Sequence, residues 1–355
     1  MSSIKDFLPA TLPEPIAVAP GEFGIAAIGL DHDHVQGICW RLLDEGAELL
    51  YVYDPNPAKV AEFREVFPQA EAVDCEERIF SDKRVKLIAA APVTDERYAL
   101  GIRVMEAGLD FFVDKAPMTE LWQIDKVREA AARTGRKYMV YYGERLSECG
   151  VLAGNMVKQN AIGRVLQVMS VAPHRLGTTR PDWFFSKKRS GGILCDLGSH
   201  QVEQFFYYTG AKNARVTSSS IANYNHPQHP EFEDFGDLSL AADNGASGYF
   251  RVDWFTPNGL STWGDGRTII LGTDGYIEMR KTINLASGTP GGNHFFWVNH
   301  EKEHYMDITD KVGVSFFGDI ILDCVNRTEN ACVQEDIFKA AELYLTAERD
   351  AIRLA

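Results

Sequence analysis

The sequence predicts an α/β domain built on a doubly wound parallel sheet, followed by an α+β domain built on a largely antiparallel one. Three observations predict this. Strand and helix patterns alternate between residues 24 and 142, and strand patterns succeed one another between 215 and 310 with no long helix between them. The chain's 355 residues suffice for two domains that each bury a core.

Residues 1–22, rich in Pro and small side chains, read as an arm laid over the surface or against a partner subunit. The first domain spans 23–142. GIAAIGL (24–30) is apolar enough for a strand buried on both faces, and in the helix after it Val35, Ile38, Cys39, Leu42 and Leu43 recur at helical spacing until Gly46. ELLYVYD (48–54) is a second strand, followed by a helix that prolines start; VKLIAAAP (85–92) precedes a helix over 96–107. DFFVDKAP (110–117) repeats the theme, then a helix capped by Thr119 and ended by Gly135, then the strand KYMVYY.

The second domain, 143–355, opens with a helix near 146–159 and the strand VLQVMSVAP. ARVTSSSIANY, DLSLAAD, ASGYFRVDWF, RTIILGT and YIEMRK are strands separated by Gly and Asn turns. Helices return at VSFFGDIILDCVNR and VQEDIFKAAELYLTAERDAIR, the latter expected to pack back on the first domain or on the sheet. No fixed-period repeat is visible.

A formal charge of −14 argues against nucleic acid as a partner, because a phosphate backbone would meet the protein's own repulsive field. No run approaches the ~20 apolar residues of a membrane span, and the first residues do not read as a signal peptide, so the expected location is cytoplasmic. Six cysteines form no CxxC pair and read as buried thiols.

The turn after the first strand is Gly29-Leu30-Asp31-His32-Asp33-His34. In a dinucleotide fold three glycines bring backbone amides and a helix N-terminus to the pyrophosphate; here the first is kept, and Asp31 and His34 stand where the other two would be. Asp54, closing the second strand, suits an adenosine ribose and repels a 2′-phosphate, which favours NAD over NADP. The histidines of this loop lack a convincing third ligand, so no metal is expected. His226 and His229 lie in a proline-bearing loop that reads as lid or surface, and His294, His300 and His304 are scattered.

Chemistry concentrates in two segments. In Gly191-Gly192-Ile193-Leu194-Cys195-Asp196-Leu197-Gly198-Ser199-His200, a helix starting near Asp196 places His200 one turn on, where the carboxylate can orient the imidazole or hold a substrate hydroxyl. Lys115 follows a strand at its carboxyl end, facing the cleft where parallel-sheet proteins bind ligands.

With those segments, residues 23–355 resemble the glucose-fructose oxidoreductase, inositol dehydrogenase and rhizopine-catabolism (Gfo/Idh/MocA) family. DKAP (114–117) is similar to its Glu-Lys-Pro segment, with Asp114 for Glu, and GGILCDLGSHQVE (191–203) to its catalytic helix motif. The resemblance implies a Rossmann-type cofactor domain and an open-faced second sheet used to form a homodimer or homotetramer. It also implies that Lys115 and His200 carry the proton chemistry at a sugar or cyclic-polyol hydroxyl, that Asp196 assists, and that NAD(P) exchanges the hydride. The cofactor is expected around Gly29, Leu30, Asp31, His32, His34, Asp54, Pro92 and Lys115, and the substrate around Tyr142, Arg180, Trp183, Asp196 and His200. Arg145 and Asp182 lie nearby in sequence; His174, Tyr224 and Trp254 are weaker candidates. The alternatives are elimination or glycoside cleavage through a transient ketone without net redox, and a non-catalytic sugar- or dinucleotide-binding regulator that acts through protein partners.

Overall fold

The computed structural model describes residues 3–8, 16–287 and 289–355. In the first domain β1 (Gly24–Leu30), α1 (His34–Asp44), β2 (Glu48–Tyr53), α2 (Pro57–Val66), β3 (Glu71–Ala72), α3 (Glu76–Phe80), β4 (Val85–Ala91), α4 (Arg97–Glu106), β5 (Asp110–Asp114), α5 (Leu121–Thr134) and β6 (Tyr138–Tyr141) follow one another. The strands pair in the order β3-β2-β1-β4-β5-β6, all parallel. Residues of β1, β4 and β5 are buried on both faces, as their continuous apolar runs require. The order reverses between β1 and β4, so a crevice opens at their carboxyl ends. One cap differs from expectation: α5 starts at Leu121, and Gln123 Oε1 accepts the Thr119 and Glu120 amides at 2.8 and 3.2 Å.

The second domain runs α6 (Glu148–Lys158), β7 (Val165–Pro173), α7 (Lys187–Ser190), α8 (Ile193–Asp196), α9 (Gly198–Thr209), β8 (Ala214–Ala222), β9 (Phe235–Ala242), β10 (Ser247–Asp253), β11 (Arg267–Gly272), β12 (Gly275–Asn284), β13 (Thr289–Asn299), β14 (Glu303–Asp307), α10 (Phe316–Asn326), α11 (Gln334–Arg349) and β15 (Ile352–Arg353). Its sheet has the order β14-β13-β12-β11-β7-β10-β9-β8-β15 and is antiparallel except where β10 meets β7 and β15 meets β8. Burial alternates along β9 and β11, because helices cover one face only. The other face leaves Met169, Tyr249, Leu271, Tyr276 and Tyr305 exposed.

Both C-terminal helices cross back. Phe316, Phe317, Ile320 and Ile321 of α10 complete the core that α1 and β1 begin, with the two phenylalanine rings 6.1 and 6.2 Å from Phe112. α11 packs on α5 and β6 of the first domain and on α9 and β8 of the second. A long interface therefore holds the two domains about the crevice. Of the arm, residues 1, 2 and 9–15 lie outside the described residues. Ile4 is buried, and the Phe7 ring meets Trp297 of β13 edge-on at 5.4 Å. No helix among the described residues is long and apolar enough to cross a membrane.

Candidate active site

The crevice encloses about 440 Å³ between the carboxyl ends of the parallel strands and the second domain. Arg97, fully buried at the start of α4, shapes its floor. Its Nε donates to Pro92 O at 2.9 Å, its Nη1 to the carbonyls of Asp114 (3.0 Å), Ala116 (3.1 Å) and Lys115, and its Nη2 to Asp114 Oδ2 at 3.1 Å. One guanidinium thus fixes the whole turn after β5, in which the Lys115–Ala116 peptide is cis. Asp114 Oδ1 lies 2.8 Å from His34 Nδ1. Burial pushes the Asp114 carboxyl up, but the charges of His34 and Arg97 outweigh it and hold it well below the ordinary carboxylate range.

That turn aims Lys115 across the crevice. Its Nζ donates to Asp196 Oδ1 at 2.6 Å and to Asp196 O at 2.8 Å. An ammonium has three donors, so one is left for a ligand. Burial raises the Asp196 carboxyl and the Lys115 charge lowers it, with a net shift downward. Asp196 ends the short helix α8, whose first amides are held by distant acids: Glu233 Oε2 accepts from Ile193 at 3.0 Å and Glu348 Oε2 from Leu194 at 2.9 Å, with Lys187 Nζ bridging both carboxylates at 2.6 Å. Gly192, at φ +88°, is required there, since a Cβ would come within 2.4 Å of the Glu348 carboxyl carbon.

His200 lies in the first turn of α9, beyond a break at Leu197. The expected Asp196–His200 pairing is not made: the Asp196 carboxylate accepts from Lys115 instead. The buried His200 Nδ1 has no hydrogen-bond partner among the described residues. Burial, reinforced by the Lys115 charge, pushes the imidazole down to about 3, so it is neutral at pH 7. Burial likewise takes His174 down to about 4. Glu144, which burial alone would raise, is brought to about 2 chiefly by Lys281, 2.7 Å away. Aromatic rings form the outer wall: Arg180 lies over Phe184 and Trp254, and His174 packs against Trp254 and Trp263.

The first turn fits a dinucleotide. Gly29 has φ +76°, and a Cβ there would stand 2.7 Å from the Pro92 Cβ, so the backbone can pass this close only as glycine. Asp54 closes β2 and accepts the Leu30 amide at 2.7 Å and the Asn56 amide at 2.8 Å, which fixes the turn's height above the sheet. Asp31 is matched by Lys59, 2.6 Å away, which offsets its charge where a pyrophosphate would run. A third partner for His32 and His34 comes from β5: ligand atoms of His32, His34 and Asp114 lie within 4.8 Å of one another. Both Asp114 oxygens are committed, to His34 and to Arg97, and the buried guanidinium opposes a second cation.

The crevice therefore brings together Asp31, His32, His34, Lys115, Arg180, Trp183, Asp196 and His200, with the weaker candidates His174 and Trp254. Gly29, Leu30, Asp54 and Pro92 form the turn and strand ends beneath it. Tyr142 does not enter: it is buried, 6.1 Å from the His200 ring, and Tyr141 lines the crevice instead, since neighbours on a strand point to opposite faces. Arg145 pairs with Glu203 at 2.7 Å, and Tyr224 is exposed against Phe235, both elsewhere. His226 is held by Asp234 at 2.9 Å, and His294 contacts Tyr305 Oη at 2.9 Å; neither lines the crevice. Arg97, Glu144, Trp263 and Lys281 were not expected. Only tertiary contacts place them here.

Comparison with known proteins agrees with this geometry. Residues 23–142 match the family described as an oxidoreductase family with an NAD-binding Rossmann fold, and residues 152–278 match the GFO/IDH/MocA C-terminal domain. A candidate oxidoreductase of Erwinia carotovora atroseptica SCRI1043 is 48% identical, with a TM-score of 0.90 over 94% of this chain and 100% of its own. More distant in sequence, an aldose-aldose oxidoreductase from Caulobacter crescentus complexed with glycerol is 18% identical, with a TM-score of 0.76 over 93% of this chain and 98% of its own. A levoglucosan dehydrogenase in complex with NADH and levoglucosan is 14% identical, with a TM-score of 0.75 over 93% and 96%. The parallel sheet with its switch-point crevice and the mixed second sheet thus belong to a member of the Gfo/Idh/MocA oxidoreductase family.

Proposed function

We propose that the protein catalyses NAD-linked, reversible oxidation of a secondary hydroxyl on a sugar, glycoside or cyclic polyol. The observation that carries this reading is the Lys115–Asp196 pair, 2.6 Å long, in one crevice with the neutral His200. The remaining donor of Lys115 holds the substrate oxygen and stabilises negative charge as it develops there. His200, neutral and lining the crevice, takes the hydroxyl proton. Asp196 keeps Lys115 in place and takes no proton itself. When bound, nicotinamide supplies the acceptor for the carbon-bound hydride. The negative charge of Asp54 just beyond β2 would oppose a 2′-phosphate there, which favours NAD over NADP in this reading. The named activities of the Caulobacter and levoglucosan enzymes support a sugar-like substrate.

The exposed apolar face of the second sheet supports a homodimer or homotetramer assembled through it. The test of the catalytic reading is titration with NAD and NADP, followed by a panel of sugars and cyclitols monitored at the reduced-nicotinamide absorbance. NAD-dependent absorbance growth with a polyhydroxylated substrate supports it. NAD binding with no hydride exchange across the panel contradicts it.

A further inference from the structure

The charged groups lining the crevice pair with one another, with one exception. Asp31 is held by Lys59, Asp33 by His32, Asp114 by His34 and Arg97, Glu144 by Lys281, and Asp196 by Lys115. Arg180 has no carboxylate partner among the described residues. Its Nε donates to Leu176 O at 3.2 Å, and its guanidinium carbon lies 4.8 Å from the Phe184 ring centre and 4.9 Å from that of Trp254. Neither of its terminal nitrogens has an acceptor among the described residues. Stacking occupies the face of a guanidinium and leaves its edge, the two-pronged donor that matches a carboxylate. Arg180 lines the same crevice as Lys115, Asp196 and His200.

We propose that Arg180 is a carboxylate subsite, and that the substrate is a sugar or cyclitol acid, such as a uronate or an aldonate, whose single ionised carboxyl it clamps while the reacting hydroxyl faces Lys115 and His200. This rests on the catalytic reading above. In a chain of charge −14, an anionic substrate needs a local cation to enter, and the crevice offers one uncommitted positive charge. One such charge matches a carboxylate. A phosphate monoester carries about −1.5 to −2 at pH 7 and would bring surplus negative charge toward Glu144 and Asp196.

The test is calorimetric binding to the NAD-loaded protein, with NADH formation measured in parallel. The probes are D-glucuronate, D-galacturonate and D-gluconate, their neutral amides, and glucose 6-phosphate. At least one acid is expected to bind about ten-fold or more tighter than its amide, an advantage that R180M reduces to less than about three-fold and R180K only partly restores. The acid–amide comparison on the unaltered protein stands even where a variant fails to fold. No acid advantage, an advantage indifferent to R180M, or preference for the phosphate ester overturns the subsite. Arg180-dependent acid binding without NADH formation leaves the subsite standing and overturns the redox reading. NADH formation from neutral sugars with no acid preference does the reverse.

Discussion

Lys115 and Asp196, 81 residues apart in sequence, meet at 2.6 Å across the crevice, so that an ammonium from the end of the parallel sheet is held by the last residue of a short helix in the second domain. The pair sets both the position of Lys115 and the charge that His200 feels. Lys115→Met is expected to lower kcat/KM by about 10³-fold and Asp196→Asn by about 10²-fold, and the double variant to lose little more than Lys115→Met alone. Steady-state kinetics of the four proteins check this; fully multiplied losses would show that the two act separately.

Arg97 is the residue on which the Lys115 turn rests. Its guanidinium binds four carbonyls and one carboxylate in the interior, so Arg97→Met leaves the Asp114 carboxylate and those four carbonyls short of donors. Chemical denaturation is expected to show a loss of about 3 kcal/mol or more, with activity falling further than NAD affinity. A variant as stable as the parent would assign the turn's geometry to the backbone alone.

His200 gives stability a defined pH dependence. Its ordinary value of 6.5 is lowered to about 3 in the fold, so the unfolded chain takes up a proton as pH falls below 6.5 while the native state does not. The unfolded state therefore gains, and His200 subtracts stability progressively from pH 6.5 down to about 3, with no contribution above pH 7. Between pH 7 and pH 5 this amounts to about 2 kcal/mol, which His200→Gln should abolish in denaturation curves taken at the two values. Equal losses in parent and variant would show that the imidazole is protonated in the fold.

The exposed face of the second sheet makes a separate prediction. Met169 and Tyr249 are register partners on β7 and β10 and stand exposed there. The double change Met169→Lys and Tyr249→Lys is expected to lower the molar mass seen by light scattering to that of a smaller assembly, while the thermal midpoint of the isolated chain stays within a few degrees. An unchanged mass would place the interface elsewhere.

Much of this architecture is legible from local pattern. The runs at 24–30, 87–91 and 111–113 are apolar, as strands buried on both faces must be, and Gly29 announces its tight turn. Lys115, Asp196 and His200 are legible as well, because each stands at the end of an element whose direction the pattern sets. Their pairing is not, since Asp196 ends α8 at Leu197, after which α9 begins, and its carboxylate is taken by Lys115 rather than His200. Arg97, Glu144 and Lys281 carry no local signal: each looks like an ordinary charge on a helix, loop or strand until the two domains close over it. Tyr142 shows the cost of a one-residue error on a strand, which moves a side chain from crevice to core.

In the proposed reaction His200 takes the proton of a substrate hydroxyl whose oxygen Lys115 holds, as hydride moves to nicotinamide. The most direct test is NADH formation by the parent and by His200→Ala at saturating NAD, with the NAD dissociation constant measured for both. The structure predicts a loss of about 10²-fold or more in kcat with NAD affinity changed by less than about three-fold, since His200 lies beyond the turn formed by Gly29, Asp54 and Pro92. Turnover by His200→Ala at the parental rate would contradict it.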